Sequence, residues 1–479
     1  MTETTQRPSL PAIETGTLIA GVWHRGETFA VDDPFTGETI AQFPAVTPEL
    51  LDRAVEVAAA ADSIPPATRS DILRRAADLL EERRADFVVL LGLEVGFPPS
   101  DSHKEIDRSQ VTLRLCAEEA LRLTGEPVAF GSSPGHESRI GATRRFPLGV
   151  VCAITPFNSP LNVVIHKIGP ALAGGNAVVL KPSPLAPMTP ALLAQTLLDA
   201  GLPPALLAVV NGADDSAGRA LLADPRIAFY AFTGSTAVGR LVAAGAGIRR
   251  SQLELGSIAS TIVCESADLS KALPKIATAA FRKAGQVCTS TQRLYVHRSR
   301  YEETVGGLVE LANSIVSGDP FDPSVTLGPL ITTAATDRVM KSIEDAIGSG
   351  GQLLAGGQRE GSVIRPTVLA DVTPNQSALC AEMFGPVVSA IPFDDLEDAV
   401  AGANATDFGL SCGVFAEDLG SVRAAMDSLR FGAVHLNEAS SARADEMPFG
   451  GVKASGRGFE GPRWAIREMT EERLHTWTP

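Results

Sequence analysis

The chain has no two cysteines in a CxxC pair; its six (Cys116, Cys152, Cys264, Cys288, Cys380 and Cys412) are scattered. That spacing argues against both a disulfide framework and a zinc ribbon, and no metal site is expected. Positive charge is also in short supply. Lys and Arg number 41 against 56 Asp and Glu, a formal net charge of −15, which disfavours nucleic acid as a partner because phosphate binding needs clustered cations. Long hydrophobic runs are absent as well. The longest uncharged stretch, Phe146 to His166, is broken by Pro147, Pro156 and Pro160 and carries Asn158 and Asn162, so it is not a membrane helix. Met1 to Gly16 is polar and has no apolar segment of the kind a secretory signal needs. A cytoplasmic protein with no membrane partner is expected. Neither a fixed-period repeat nor a GxGxxG fingerprint occurs, so a standard dinucleotide-binding signature is missing.

What is present is a globular composition, 44% apolar and 20% charged over 479 residues, enough for two or three domains. Thr47-Pro48-Glu49 is a helix start: a capping hydroxyl, a proline at the first helical position and an acid near the positive helix end. The apolar spacing predicts helices near 48–62 and 67–93, the second stopped by Gly96 and Pro98. From Gly149 short apolar runs alternate with helical ones. Val150–Ile154, Ala177–Leu180, Leu206–Val210, Ile227–Phe232 and Gln252–Leu255 read as strands, with helices near 161–173, 189–200, 216–223 and 235–246 between them. Continuous apolar strands separated by helices indicate an α/β fold with a parallel sheet covered on both faces, which binds ligands at the carboxyl ends of its strands. A second αβ series follows: helices at 268–283, 300–316 and 334–348, and strands at Arg293–His297, 363–369, 387–392, 411–416 and 432–436. Residues 125–145, rich in Gly and polar residues, read as a projecting hairpin.

Several turns hold residues suited to chemistry. Cys288, in Lys283-Ala284-Gly285-Gln286-Val287-Cys288, lies between a helix and a strand and could sit exposed at a domain junction; a lone cysteine is more commonly an inert buried residue. Glu254, between Leu253 and Leu255, reads as a buried carboxylate with a raised pKa suited to general-base work, or as a solvated strand-end charge. Asn158, in Thr155-Pro156-Phe157-Asn158, can donate its amide to a developing oxyanion, or be an ordinary turn asparagine. Lys181 and Ser183 sit at the next βα turn, where a lysine could hold a ribose hydroxyl. Phe232-Thr233-Gly234-Ser235 opens a helix whose first amides suit phosphate; Gly212 and Gly218 flank another turn.

In order along the chain, Asn158, Lys181, Phe232–Ser235, Glu254, Cys288, Glu382-Met383-Phe384-Gly385-Pro386, Asn437 and Pro448–Gly451 resemble the aldehyde dehydrogenase superfamily. The resemblance runs from Gly21-Val22-Trp23 to the C-terminal segment. It implies a Rossmann-type cofactor domain without the usual glycine fingerprint (1–124 and 147–254), a second α/β catalytic domain (255–446), and a small β oligomerisation element (125–146 and 464–479) serving a homodimer or homotetramer. It further implies that Cys288 attacks the aldehyde, that Asn158 stabilises the oxyanion, and that Glu254 activates the water that hydrolyses the thioester. Glu460 matches a second glutamate that relays protons. Thr155, Pro156, Phe157, Lys181, Ser183, Gly212, Phe232, Thr233, Gly234, Ser235, Gly239, Leu255, Glu382 and Phe384 would bind NAD or NADP. Pro184, three residues after Lys181, stands where NAD-preferring members often carry a glutamate, so a 2′-phosphate is not excluded; the reading leans to NAD. Glu254 favours a free acid over acyl transfer to coenzyme A, the alternative reading; a catalytically inactive structural relative is another. Ser257 stands where the family usually has a second glycine. His166, Arg282 and Arg443, with Asn158, are the expected substrate residues, and the arginines point to a small aldehyde bearing a carboxylate, phosphate, phosphonate or sulfonate. The bland alternative has the arginines facing solvent or pairing with Asp445 or Glu446.

Overall fold

A computed structural model describes residues 7–372 and 377–479. The polar N-terminal stretch read above begins in residues 1–6, which lie outside the described residues. Two large sheets organise the chain. The first has eight strands in the order Val22–His24, Thr17–Ile19, Leu207–Val209, Ala177–Lys181, Val150–Ile154, Ile227–Thr233, Arg250–Glu254 and Gly456–Arg457. Its five central strands are parallel and its edges antiparallel. Val150–Ile154 and Ala177–Lys181 are buried almost throughout, as strands covered on both faces must be.

The chain leaves Val150–Ile154 outward through Ala177–Lys181 and Leu207–Val209, then returns to its other side as Ile227–Thr233. That reversal is a topological switch point, and a crevice opens beyond the carboxyl ends of the two strands that flank it. Thr155–Asn158 and Gly234–Ser235 emerge there. Gly239 lets the helix Thr236–Ala246 pack closely: a Cβ at this position would lie 2.2 Å from the Leu255 side chain.

The second sheet runs Gln352–Ala355, Thr367–Ala370, Val387–Phe393, Thr291–His297, Ala259–Val263, Ser411–Phe415, Ala433–Leu436, parallel except at its first pair. Residues 255–258 join the two sheets directly, from Arg250–Glu254 to Ala259–Val263. The hairpin region forms a third sheet, in which Thr470–Trp477 pairs along the whole of Ile140–Pro147, with Pro127–Val128 on the far side. Among the described residues, no helix is long and apolar enough to cross a membrane.

Several elements differ from the sequence reading, the unexpected central strand Ala259–Val263 of the second sheet among them. The helix expected over 67–93 is two helices, Pro66–Glu82 and Arg84–Val95, interrupted at Arg83, whose guanidinium reaches sideways to Thr196 (2.9 Å) and Asp199. The strand expected over 363–369 is split by Arg365-Pro366 into Val363–Ile364 and Thr367–Ala370, which belong to different sheets. The helix Pro99–Arg122, 24 residues long, was not foreseen.

Candidate active site

A cavity of about 650 Å³ opens at the switch point and extends to the junction of the two large sheets. Each wall comes from a different element. Thr155, Pro156, Phe157 and Asn158 follow the first central strand. Lys181 and Ser183 follow the next, and Phe232 to Ser235 lead into the helix Thr236–Ala246. Glu254 and Leu255 lie where the first sheet passes into the second. Cys288, Glu382, Phe384, Arg443, Phe449 and Glu460 complete the lining. Of the expected catalytic, cofactor and substrate residues, Gly212, Gly239, His166 and Arg282 do not line it.

The nucleophile candidate sits in a tight left-handed turn. Lys283, Ala284 and Gly285 have φ of 52°, 52° and 69°, a run that L residues adopt rarely. Gly285 is required for a second reason: a Cβ there would stand 2.1 Å from the Gly385 carbonyl oxygen. This close approach brings Glu382–Pro386 alongside Cys288. The Cys288 thiol is half-buried. Burial pushes its pKa up to about 12; Arg443 opposes that rise, and Glu382, Glu254 and Glu460 add to it.

Asn158 donates from Nδ2 to the Gln286 carbonyl at 2.7 Å. An amide nitrogen has two hydrogens, so one remains for another acceptor. Glu254 is 3% exposed, and neither of its carboxylate oxygens has a hydrogen-bond partner among the described residues. Burial, reinforced by Glu460, lifts its pKa well above the usual carboxylate range; Lys167 and Arg443 pull the other way. Glu460 is the opposite case. Burial alone would raise it, but Lys167 (Nζ–Oε1 2.8 Å) and Arg443 (Nη2–Oε2 2.6 Å) hold it ionised. Two neighbouring buried carboxylates are thereby driven apart in acidity, which is how one site keeps an ion and a proton acceptor side by side.

On the opposite wall Lys181 is 7% exposed, with burial lowering its pKa. Cβ atoms placed on Gly212 or Gly218 would lie 3.9 Å from its side chain, so these glycines, though off the cavity lining, leave space beside the ammonium. The Thr155 hydroxyl is buried without a hydrogen-bond partner among the described residues. Ser235 caps the helix Thr236–Ala246, leaving that helix's first amides and its positive end at the crevice. Glu382 accepts from the Ser257 N–H at 2.9 Å, and Phe384 meets Phe157 edge to face. An unused lysine, an orphaned hydroxyl, a helix N-terminus and a carboxylate in one crevice suit a dinucleotide's hydroxyls and phosphates.

The expected substrate residues divide. Arg443 lines the cavity, stacks 3.9 Å from the Phe449 ring centre and pairs with Glu460 rather than Asp445 or Glu446; its Nε is buried and without a partner among the described residues. Arg282 is half-buried and stands off the cavity lining; burial is the main influence lowering its pKa, with Arg108 adding to that and Asp101, Cys288 and Glu105 opposing it. His166 is corrected outright. It is fully buried, and its Nε2 is 2.9 Å from Asp445, a carboxylate that also takes Arg108 at 2.6 Å. Sequence reasoning missed Lys167, Gln286, Phe449, Glu105 and Lys283. Lys283, Gln286 and Phe449 stand in motifs read for other residues, and Lys167 and Glu105 meet the site through partners far along the chain.

The aldehyde dehydrogenase family model matches residues 23–474. A 3-sulfolactaldehyde dehydrogenase from Priestia megaterium is 40% identical over 462 residues, covering 96% of this chain and 97% of the relative. The crystal structure of NADP-dependent glyceraldehyde-3-phosphate dehydrogenase from Bacillus halodurans, complexed with NADP, superposes with a TM-score of 0.95 at 33% identity, covering 98% of this chain and 100% of that one. That of aldehyde dehydrogenase 21 from Physcomitrella patens, in complex with the product succinate, gives 0.94 at 31% identity, with 97% and 98% covered. The chain belongs to the aldehyde dehydrogenase family and is an enzyme of NAD(P)-dependent aldehyde oxidation.

Proposed function

We propose that the protein oxidises a small aldehyde with an anionic group to its carboxylic acid, through a covalent intermediate on Cys288. The observation that carries this is the sharing of one cavity by Cys288, Asn158, Glu254 and Glu460 with Lys181, Ser235 and Glu382. The Cys288 sulfur adds to the carbonyl carbon while its proton passes to water in the cavity, and the oxygen becomes an oxyanion. The free N–H of Asn158 donates to that oxyanion, a contact stronger in the transition state than in the ground state. Bound NAD⁺ or NADP⁺ supplies the hydride acceptor, with Lys181, Thr155, Ser235 and Glu382 as the residues that would hold it. Glu254 takes a proton from water as the water attacks the resulting thioester; the C–S bond breaks and the acid leaves. Glu460, ionised between Lys167 and Arg443, keeps Glu254 a strong enough base to act near neutral pH.

For the substrate, Arg443 has an uncommitted Nε on the cavity wall, and Arg282, off the lining, is close enough to Cys288 for the two to interact electrostatically. Both act electrostatically on, or are acted on by, Cys288. The 3-sulfolactaldehyde dehydrogenase relative carries an anionic aldehyde in its name, which supports the same substrate class here. The test is reduced-nicotinamide formation from short aldehydes with neutral, carboxylate, phosphate and sulfonate ends, using NAD⁺ and NADP⁺, with and without coenzyme A. Preference for charged aldehydes, a free acid product, and loss of turnover in Cys288→Ala are expected. Equal turnover of neutral aldehydes would overturn the anionic reading, and a coenzyme A thioester product would overturn hydrolysis.

We further propose that 1–124 and 147–254 form the cofactor domain, that 255–446 is the catalytic domain, and that the third sheet joins copies of the chain. Leu474 and Trp477 are more than half exposed on its edge strand, and such edges favour pairing. A stable monomer in sedimentation at micromolar concentration would rule this out.

A further inference from the structure

The helix Pro99–Arg122 turns a polar face inward. Asp101, Glu105, Ser109 and Thr112 are each at most 5% exposed, and 101, 105, 108 and 112 share one side of a helix by their spacing. Each contacts residues of the site or its immediate support. Asp101 accepts from the Lys283 N–H at 3.1 Å. Glu105 accepts from the Asn162 N–H at 2.9 Å, the Ser159 hydroxyl at 2.8 Å and the Lys283 ammonium at 2.7 Å. Arg108 holds Asp445, and Thr112 donates to the Asn162 side chain at 2.9 Å.

Lys283 joins these contacts to the reacting groups. Besides Glu105, its ammonium donates to the Asn158 carbonyl at 3.2 Å and the Ser159 hydroxyl at 3.0 Å, which uses all three of its hydrogens. Three residues on, the Gln286 carbonyl receives the Asn158 side-chain amide. Asn158 is therefore held at its main chain and its side chain by one short turn, the turn that presents Cys288. Lysine is poorly suited to this position on local grounds. Its φ of 52° lies in the left-handed region, and a buried ion pair loses in desolvation much of what it gains in attraction. Residues that break local rules in this way are expected where function needs them.

We propose that Lys283, held by Glu105, is a positioning residue that fixes the Asn158 amide relative to the Cys288 sulfur. This rests on the reading of Asn158 as oxyanion donor. Two variants test it: Lys283→Asn, which tolerates the left-handed backbone but lacks the ammonium, and Glu105→Gln, which keeps shape and removes the counter-charge. Folding is checked by circular dichroism and melting, and either folded variant suffices. The expected result is a kcat lower by roughly 10–100-fold, the scale of a small misplacement of a reacting group, with the KM for NAD(P)⁺ within about twofold. Combined with Asn158→Ala, Lys283→Asn should add no further loss. An unchanged kcat, or losses that multiply in the double variant, would overturn the proposal. Asn158→Ala alone tests the reading beneath it: an unchanged kcat there refutes that reading, whereas a large loss there beside an unchanged Lys283→Asn refutes only the positioning role.

Discussion

Replacing Glu254 with glutamine separates the two halves of the reaction. The side chain keeps its volume, and because neither carboxylate oxygen has a partner among the described residues, no hydrogen bond is broken. A fully buried ionisable group is exchanged for a neutral one, so the melting temperature should hold or rise. What is lost is the base for thioester hydrolysis. General-base catalysis contributes about 10²–10⁴-fold, or about 3–5 kcal/mol of barrier. The assay is rapid-mixing measurement of reduced-nicotinamide absorbance. Glu254→Gln should give a burst approaching one equivalent per active site, then a steady rate lower by that factor, with the acyl group recoverable on Cys288 by mass. The sign of the pH effect follows from the raised pKa of Glu254. The ionised form is the base, so kcat of the parent enzyme climbs as pH rises through that raised value and levels off above it. The glutamine variant should lose that limb. A variant with normal kcat and no burst, or one retaining the same limb, would refute the assignment.

Three further outcomes follow from contacts elsewhere. Glu94 is fully buried, accepts from the Met188 and Thr189 amides, and has its pKa raised by burial to about 7 from an ordinary 4.5. Between those values the folded state binds more protons than the unfolded one, so stability should fall as pH rises from about 4.5 to 7, by about 3 kcal/mol at most; Glu94→Gln should flatten that part of a melting-versus-pH curve. Gly285→Ala forces a Cβ against the Gly385 carbonyl at 2.1 Å in a left-handed turn. It should cost about 2 kcal/mol or more of stability and depress kcat, as read by melting and steady-state kinetics on the same sample. Arg282→Ala should lower kcat/KM for an anionic aldehyde about 10–100-fold relative to a neutral one, the scale of a charged hydrogen bond; an unaltered ratio would remove Arg282 from substrate recognition.

Much of this arrangement can be read from the chain because the parallel strands are continuous apolar runs bounded by turn residues, and the turns carry Asn158, Lys181, Glu254 and Cys288 at family spacing. The helix Pro99–Arg122 escaped for the converse reason. Its buried face holds Asp101, Glu105 and Thr112, so the apolar periodicity that signals a buried helix is diluted by polar residues whose partners lie far along the chain. His166 is expected among the substrate residues because it follows the Asn158 turn, whereas its ring is paired with Asp445, 279 positions on. Lys283 was hidden in a motif read for its cysteine, and its role depends on Glu105, which no local pattern connects to it.

The base and the sulfur stand on separate slabs. Glu254 closes the last parallel strand of one large sheet, while Cys288 precedes Thr291–His297 of the other, and the gap between them is fixed by residues 255–258, by packing and by hydrogen bonds such as those of Asn158 and Lys283. Heat that loosens this seam by a fraction of an ångström would leave every strand ladder intact and still put water and thioester out of reach of the carboxylate. Turnover should therefore fail several degrees below the unfolding midpoint, and whatever spans the seam, a bound dinucleotide above all, should narrow that difference.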